Sequence, residues 1–118
     1  YKPYHLIGLE LGISVASVGL RREPTGAPAG WHGDVVATAK RDLQAGQLLD
    51  GEGGYTVYGR LMPAPDSVEE GYLPLGLSHQ VKLKNPVRQS QAIRWRDVEY
   101  DDRSTAVQFR REMEQTFA

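Results

Sequence analysis

RDLQAGQLLD at residues 41–50 and NPVRQSQAIR at residues 85–94 share one pattern, 44 positions apart, and this pattern decides the fold that we predict. In each stretch an apolar residue is followed by two variable residues, a small turn-former, a glutamine and a return to apolar residues. The pattern is typical of a strand end, a tight turn and a re-entry into the core. We therefore expect two copies of one hairpin-like element.

The residue at the centre of the turn differs between the two copies, and each residue can form the turn in its own way. Gly46 can take a positive φ at no steric cost, whereas Ser90 can close its turn through its hydroxyl. Each copy then offers an aliphatic residue, Leu49 or Ile93, to a common core. Because only one glutamine is identical between the copies, chance similarity between two turns is the alternative interpretation.

Length and composition limit the classes of protein to which this chain can belong. Its 118 residues suffice for one domain, or for one domain with an appended segment. The absence of cysteine excludes a disulfide scaffold, a thiolate zinc site and a cysteine nucleophile. Fourteen basic and fifteen acidic residues give a net charge of −1, without the cationic excess of nucleic-acid-binding or membrane-binding proteins. We expect neither nucleic acid nor a membrane as a partner.

The first apolar stretch is HLIGLELGISVASVGL, residues 5–20, which predicts a helix that is apolar on nearly every side and made to be buried. About 16 helical residues span ~24 Å, short of a ~30 Å hydrocarbon core, and Glu10 makes insertion into lipid costlier. Gly8 and Gly12 either let another helix approach closely or are simply tolerated in a buried helix. Since the chain does not begin with methionine, we expect residues 1–22 to belong to a preceding catalytic or oligomerisation domain.

The middle of the chain predicts a mainly β body. Residues 23–33 are rich in proline and glycine and are expected to form a linker. Residues 34–100 contain short β-type runs separated by turns, which is typical of a compact barrel-like or clip-like body. Asp66 or Ser67 is expected to cap a helical turn over residues 68–70. The predicted strands are residues 35–39, 55–62, 73–77, 80–83 and 93–98.

Residues 101–118 predict a C-terminal amphipathic helix, which Ser104 could cap. One helix face carries an apolar stripe, which we expect to pack on the core; a partner-binding face is the alternative. Arg110 and Glu114 form an i,i+4 pair in the weaker orientation, expected to contribute a few tenths of a kcal/mol at most. The stripe consists of Ala106, Phe109, Met113 and Phe117.

A glycine-rich loop is the most promising local candidate for binding. Gly51, Glu52, Gly53, Gly54 and Tyr55 could direct backbone N–H groups at an anion or at another part of the backbone. A strand rather than a helix follows, so the loop does not match a dinucleotide fingerprint, and it lacks the ending of a phosphate loop. Two interpretations remain: a tight connection, or a substrate or cofactor contact made together with the rest of a larger protein.

The three histidines are scattered, and their spacing predicts no metal site. His32 and His79 are interpreted as solvated or hydrogen-bonded side chains. His5 differs because it opens the first helix, where a neutral imidazole could donate to a substrate. It is a weak catalytic candidate, and no other catalytic residue can be named.

DVVATAKRDLQAGQLLD and the I-x-W-x-D-V ending are the motifs that carry a family resemblance. Residues 35–50 and 87–98 resemble the SAF domain, a β-clip fold shared by sialic acid synthases, type III antifreeze proteins and flagellar or pilus assembly proteins. Ser90 stands where glycine is commoner. The resemblance implies a β-clip body over residues 34–100, flanked by the two helices.

YKPYHLIGLELGISVASV, REPTGAP and DGEGGYTVYGRLMPA carry a narrower resemblance that covers nearly the whole chain. They look like the C-terminal part of bacterial NAD(P)-dependent oxidoreductases of the homoserine-dehydrogenase-like group. One branch of that group acts as a deoxyxylulose phosphate reductoisomerase-like enzyme. The resemblance implies an accessory domain of a cytoplasmic, homo-oligomeric reductase, whose missing part holds the Rossmann domain and NADP or NAD.

A binding module of another class is the alternative: an extracytoplasmic SAF domain that chaperones flagellar or pilus subunits or recognises a sugar. Such a module requires an export signal, whereas the reductase requires a dinucleotide fingerprint before Tyr1. In the reductase interpretation this chain alone holds no cofactor, is inactive, and has the rest of the parent enzyme as its partner.

Overall fold

The computed structural model describes residues 3–117, so Tyr1, Lys2 and Ala118, which belong to the two predicted terminal segments, lie outside the described residues. The elements in chain order are α1 (Ile7–Ala16), β1 (Gly33–Ala39), β2 (Leu48–Asp50), β3 (Val57–Pro63), α2 (Ala64–Glu70), a 3₁₀ turn (Leu75–Leu77), β4 (His79–Leu83), a second 3₁₀ turn (Trp95–Asp97), β5 (Val98–Glu99) and α3 (Thr105–Phe117).

The strands form two small antiparallel sheets rather than one large sheet. One sheet pairs β1 with β3, and the other has the order β2-β4-β5. About 36% of the residues are helical and about 26% are in strands, so the described chain is a mixture of helix and strand. Both sheets lie between α1 and α3, but the whole chain is less β-rich than the sequence suggests.

The β1–β3 pair confirms the two predicted strands with the clearest β pattern. Val36 faces Arg60 and Ala37 faces Gly59 in the antiparallel register. A Cβ atom at Gly59 would lie 2.6 Å from Val35 Cγ1 and 2.8 Å from Leu75 Cδ2. A larger residue at this position would displace the side-chain ends of Val35 and Leu75, so glycine allows β1, β3 and the first 3₁₀ turn to meet closely.

Two predicted strands are wrong over part of their length. Residues 73–77 begin with a bridge between Val36 and Pro74, but the chain then turns into the 3₁₀ segment Leu75–Leu77. Residues 93–98 are interrupted at Trp95–Asp97, because the Asp97 carboxylate accepts the Arg94 N–H at 3.1 Å. A local side-chain acceptor there competes with strand pairing.

Helix α2 begins earlier than predicted and has a different start. Pro63 occupies the N-cap position, and no side chain caps the helix. The predicted cap Asp66 instead lies in the first helical turn. Ser67 is fully buried, and its hydroxyl donates to the Asp34 carboxylate at 2.6 Å. The prediction that Asp66 or Ser67 caps this helix is therefore wrong, because Ser67 bonds to another element.

The two turn copies adopt the same backbone conformation. Gly46 and Ser90 occupy aligned positions and have φ values of 84° and 66°. The next residue in each copy, Gln47 or Gln91, accepts a hydrogen bond through Oε1 from the backbone N–H three residues earlier, at 3.3 Å and 3.1 Å. The only identical side chain in the pattern thus performs the same task twice, which favours two copies of one element over chance similarity.

The copies also bond to each other through their aligned apolar residues. Leu43 N–H donates to Val87 O at 2.8 Å, and Val87 N–H donates to Leu43 O at 3.0 Å. The predicted aliphatic residues Leu49 and Ile93 are buried in one core, which confirms that expectation.

The same exchange recurs at the turn centres. Ser90 N–H donates to Ala39 O at 2.8 Å, and Gly46 N–H donates to Leu83 O at 2.7 Å. Ala39 and Leu83 are themselves 44 residues apart, so each turn closes on the strand that leads into the other copy. An approximate two-fold relation therefore organises the β body.

Helix α3 is held by a buried ion pair that the sequence does not reveal. The Arg110 guanidinium donates to Asp34 Oδ1 at 3.0 Å and to Asp34 Oδ2 at 2.6 Å. Burial acts to raise the pKa of the Asp34 carboxyl, but the hydrogen bonds from Arg110 and Ser67 outweigh it and hold that pKa below its usual 3.8. This bidentate pair joins α3 to β1, and Ser67 adds α2.

Further contacts extend this anchor along α3. Glu114 accepts from Arg110 Nε at 2.7 Å and from Arg111 Nη1 at 2.8 Å. The Arg110 guanidinium lies 4.5 Å from the centre of the Trp31 ring, and that of Arg111 lies 4.2 Å from the Trp95 ring. The i,i+4 pair expected to be marginal is thus part of a buried network.

The predicted packing face of α3 is wrong. Phe109 is 66% exposed and Phe117 is also exposed, whereas Val107 and Arg110 are buried. The helix turns its Arg110 side inward because a desolvated guanidinium needs its carboxylate partner. Ala106, Phe109 and Phe117 of the apolar stripe are therefore exposed, and Met113 is half-buried.

Helix α1 contributes nothing to the core, since none of its ten residues is buried. It continues into a π-helical segment, Ser17–Arg21, which ends at Arg22 with a φ of 58°. Only Ser17 is buried there, and its hydroxyl donates to Glu23 O at 3.1 Å. Helix α1 therefore adds no buried side chain to the β body.

Ser90→Gly should stabilise the protein by about 0.5 to 1 kcal/mol. The substitution removes the ~1 to 2 kcal/mol cost of a left-handed side-chain-bearing residue, partly offset by the greater freedom of glycine in the unfolded chain. Urea unfolding measures the difference. Gly46→Ser, the reverse substitution in the other copy, should destabilise the protein by a similar amount. If both variants change the free energy of unfolding in the same direction, the two turns are not equivalent.

Arg110→Met should lower the free energy of unfolding by about 3 to 5 kcal/mol, because it leaves the buried Asp34 carboxylate unpaired. The double variant with Asp34→Leu should lose less than the sum of the two single variants. The matched control is Arg94→Met, which breaks a partly exposed pair with Glu70 and should cost at most about 1 kcal/mol. Equal losses in the two single arginine variants would contradict the anchor.

Candidate functional site

The glycine-rich loop folds around the acidic residue that precedes it. Asp50 ends β2, and its carboxylate accepts the Tyr55 N–H at 2.5 Å and the Thr56 N–H at 3.0 Å. It also accepts the Thr56 hydroxyl, whose oxygen in turn accepts the Asp50 N–H at 3.0 Å. The anion in this backbone cradle is therefore the chain's own carboxylate.

The glycines make this closed conformation possible. Gly51 and Gly53 have φ values of 74° and 78°, which side-chain-bearing residues rarely adopt. A Cβ atom at Gly54 would lie 2.2 Å from the Asp50 carboxyl carbon. Glycine is thus needed at these positions to let the loop wrap Asp50, which agrees with the tight-connection interpretation.

Two basic side chains brace the loop from outside. Lys40 Nζ donates to Gly54 O at 2.5 Å, and His79 Nδ1 lies 3.1 Å from Asp50 O. The outward side chains of the loop are Glu52 and Tyr55, and Tyr55 is 85% exposed. These two side chains are open to contact with a ligand or a larger protein, whereas the N–H groups of Tyr55 and Thr56 are already engaged by Asp50.

The histidines lie in separate environments. His5 is exposed just before α1, with Nδ1 3.4 Å from Glu10 Oε2. His32 is exposed beside Gly30, and His79 contacts the glycine-rich loop. The structure therefore places the weak candidate His5 apart from the loop candidates. Among residues 3–117, no three His, Cys, Asp or Glu side chains are grouped so that they could hold a metal ion.

Two open grooves lie on the β body. The larger, about 480 Å³, has the apolar residues Leu77 and Val107 in its wall together with His79 and Tyr100. The non-glycine residue Gln80, with a φ of 56°, lies on the same groove. None of these residues except His79 is singled out by the sequence.

The second groove, about 400 Å³, is strongly polar and carries three arginines, Arg60, Arg94 and Arg96. Sequence reasoning missed it. The Arg94-Trp95-Arg96 triplet is the one local signal, because burial of the central Trp95 places its two neighbours on the outside. No local sequence pattern predicts that Arg60 joins these arginines, because Arg60 lies on β3, far from them in the sequence.

Comparison with known proteins adds no relative: no family model matches the chain, and no curated protein matches it.

No helix within residues 3–117 is both long enough and apolar enough to cross a lipid bilayer.

Asp50→Asn should destabilise the protein at neutral pH, with an effect that fades in acid. The hydrogen bond from the Thr56 hydroxyl, opposed by partial burial and helped by the N–H groups of Tyr55 and Thr56, lowers the pKa of Asp50 from 3.8 to about 2. The ionised carboxylate therefore contributes stability above about pH 4, which is lost as the pH falls towards 2.

Urea unfolding at pH 6 and pH 2.5 measures this difference. Asp102→Asn, at an exposed position outside the loop, is the matched control and should change stability little at either pH. A constant gap between the wild type and Asp50→Asn across this range would contradict the role assigned to the carboxylate.

Proposed function

We propose that this chain is the C-terminal accessory domain of a cytoplasmic NAD(P)H-dependent oxidoreductase of the homoserine-dehydrogenase-like group. In this proposal α1 docks into the catalytic part of that enzyme, and the β body stands beside it. The observation that carries the proposal is the uncovered apolar surface of α1. The motifs that resemble this group are the reason for proposing an NAD(P)H-dependent oxidoreductase as the parent enzyme.

The exposed apolar surface of α1 is large for a water-soluble surface. Full burial of one such side chain contributes about 1.5 to 3 kcal/mol, so covering several would provide ample free energy for docking. Apolar residues lie on all sides of the helix, which favours insertion between other elements over contact with one flat surface. The side chains that are 59 to 76% exposed are Ile7, Leu9, Leu11, Ile13 and Val15.

The paired turn copies support the proposed SAF-like β-clip identity of the body. Leu43 and Val87 exchange two backbone hydrogen bonds, and Gly46 and Ser90 share one turn conformation. These residues lie inside the two stretches that resemble the SAF domain. The two stretches that carry the resemblance therefore pair with each other in one body.

The proposed division of labour places the cofactor elsewhere in the enzyme. The Asp50 carboxylate occupies the N–H groups of Tyr55 and Thr56, so these two groups are not available to a pyrophosphate. The Rossmann part of the enzyme would bind NADP or NAD. Tyr55 and Glu52 would at most contact the rim of the catalytic part, and the assembled enzyme would be a homo-oligomer.

The coding sequence upstream of Tyr1 tests the assignment directly. An in-frame G-x-G-x-x-G after a strand pattern would support the reductase. A hydrophobic export leader in that place would overturn it in favour of the extracytoplasmic binding module.

Leu9→Glu combined with Ile13→Glu should reduce the reductase activity of the complete enzyme at least tenfold. Two carboxylates cannot be buried in an apolar docking site without a large desolvation cost. The urea unfolding midpoint of the isolated chain should stay unchanged, because neither residue is buried against the body. Activity and subunit assembly measured on the same preparation separate loss of docking from loss of folding.

Leu48→Glu is the matched control, since Leu48 is also an exposed leucine but lies on β2. It should leave both activity and assembly close to wild type. In the isolated chain, the α1 double variant should also abolish concentration-dependent self-association in sedimentation. A wild-type chain that stays strictly monomeric at high concentration would count against a docking helix.

A further inference from the structure

The polar groove on the β body contains more positive charge than the fold needs. It has a volume of about 400 Å³, and its polar lining residues come from β3, the segment after α2, the second turn copy and the second 3₁₀ turn. Besides Asp97, these residues are Arg60, Tyr72, Ser90, Gln91, Arg94 and Arg96.

The one carboxylate that lines the groove is already engaged. Asp97 Oδ2 accepts the Arg94 N–H at 3.1 Å, and Asp97 Oδ1 accepts Asn85 Nδ2 at 3.3 Å. These bonds hold the 3₁₀ turn, and the Asp97 carboxylate also attracts the Arg94 guanidinium electrostatically. Even with Glu70 paired to Arg94, the three guanidinium groups outnumber the nearby carboxylates, so the groove is cationic.

Arg94 is held in place before any ligand arrives. Its Nε donates to Glu70 O at 3.0 Å, and its Nη2 pairs with the Glu70 carboxylate. Its guanidinium carbon lies 5.2 Å from the centre of the Tyr72 ring. These contacts hold both the face and the edge of the Arg94 guanidinium. The side chain therefore loses little conformational entropy when it binds an anion.

Arg60 and Arg96 are available. Within residues 3–117, neither side chain forms a hydrogen bond, an ion pair or a ring contact. Both are exposed, so they keep their hydration in the free protein. Two uncommitted guanidinium groups beside a fixed one are arranged to receive an anion rather than to stabilise the fold.

The internal repeat shows that the arginine is not a requirement of the turn. Arg94 aligns with Asp50, 44 residues earlier, so the same backbone position carries opposite charges in the two copies. In the first copy the carboxylate accepts hydrogen bonds from its own glycine loop. In the second copy the cation faces a groove that no such loop fills.

We propose that this groove binds the phosphate group of a small hydroxylated metabolite. Guanidinium forks match the geometry of phosphate oxygens, and the groove volume lies in the range of small-molecule sites. Ser90, Gln91 and Tyr72 line the remainder and offer hydrogen-bonding groups to hydroxyls. The net charge of −1 disfavours a polyanion such as nucleic acid, which would meet overall repulsion. This inference stands independently of the accessory-domain proposal.

NMR titration of the purified chain tests the site, with inorganic phosphate, glycerol 3-phosphate and glycerol as probes at constant ionic strength. Glycerol 3-phosphate should produce saturable shifts at the backbone amides and Arg Nε groups of the groove, with a dissociation constant of about 1 mM or tighter. Inorganic phosphate should bind more weakly at the same signals, and glycerol should not bind. Absence of saturable, groove-centred shifts with either phosphate probe would overturn the proposal.

Variants distinguish a built site from diffuse attraction. Arg60→Ala with Arg96→Ala should weaken glycerol 3-phosphate binding at least tenfold, while Arg103→Ala, at an exposed arginine outside the groove, should not change it. Arg60→Lys with Arg96→Lys keeps the charge but removes the forks, and should bind several-fold more weakly than wild type. Lysine variants that bind as well as wild type would overturn the proposal.

Two further controls keep the result interpretable. Unchanged amide spectra away from the groove would show that each variant is folded, since Arg60 and Arg96 hold no other element in place. A glutamate-rich peptide that saturates the groove while glycerol 3-phosphate does not would overturn the metabolite in favour of a protein partner. Any of these failures would leave the docking role of α1 unaffected.

Discussion

Reciprocal backbone pairing between the two turn copies is the constraint on which the β body depends. Leu43 and Val87 donate to each other, and each turn closes on the strand that leads into the other copy. Neither copy can satisfy its backbone groups alone, and an unpaired buried N–H or C=O costs about 1 to 3 kcal/mol. The two copies must therefore fold together, and the aliphatic residues that follow them are buried in one core.

The second constraint is electrostatic and acts on α3. Once the turns have placed β1, the buried Asp34 carboxylate needs a cation, and Arg110 supplies it in bidentate geometry. Ser67 from α2 completes the carboxylate's partners. Since a buried charge without a partner is costly, this need decides which face of the helix turns inward. The apolar stripe of α3 is left outside as a result.

These two constraints together determine what remains available for function. The first copy uses Asp50 to close its own glycine loop, whereas the second copy presents Arg94 to an open groove. Helix α1 takes part in neither constraint and keeps its apolar side chains in solvent. The two proposals rest on groups that neither constraint uses. The exposed apolar side chains of α1 are proposed for docking, and the arginines without partners in the polar groove are proposed to bind a phosphate group.

The sequence by itself determined the local elements with strong patterns: the two turns, the β1 and β3 strands, and the helices at both ends. Periodicity, glycine and proline report on neighbouring residues, so these features were predictable. Tertiary structure alone decided the partner of Asp34, the inward face of α3 and the grouping of Arg60 with Arg94 and Arg96. Those contacts join residues far apart in the chain, and no local pattern encodes a pairing whose free energy arises only after burial.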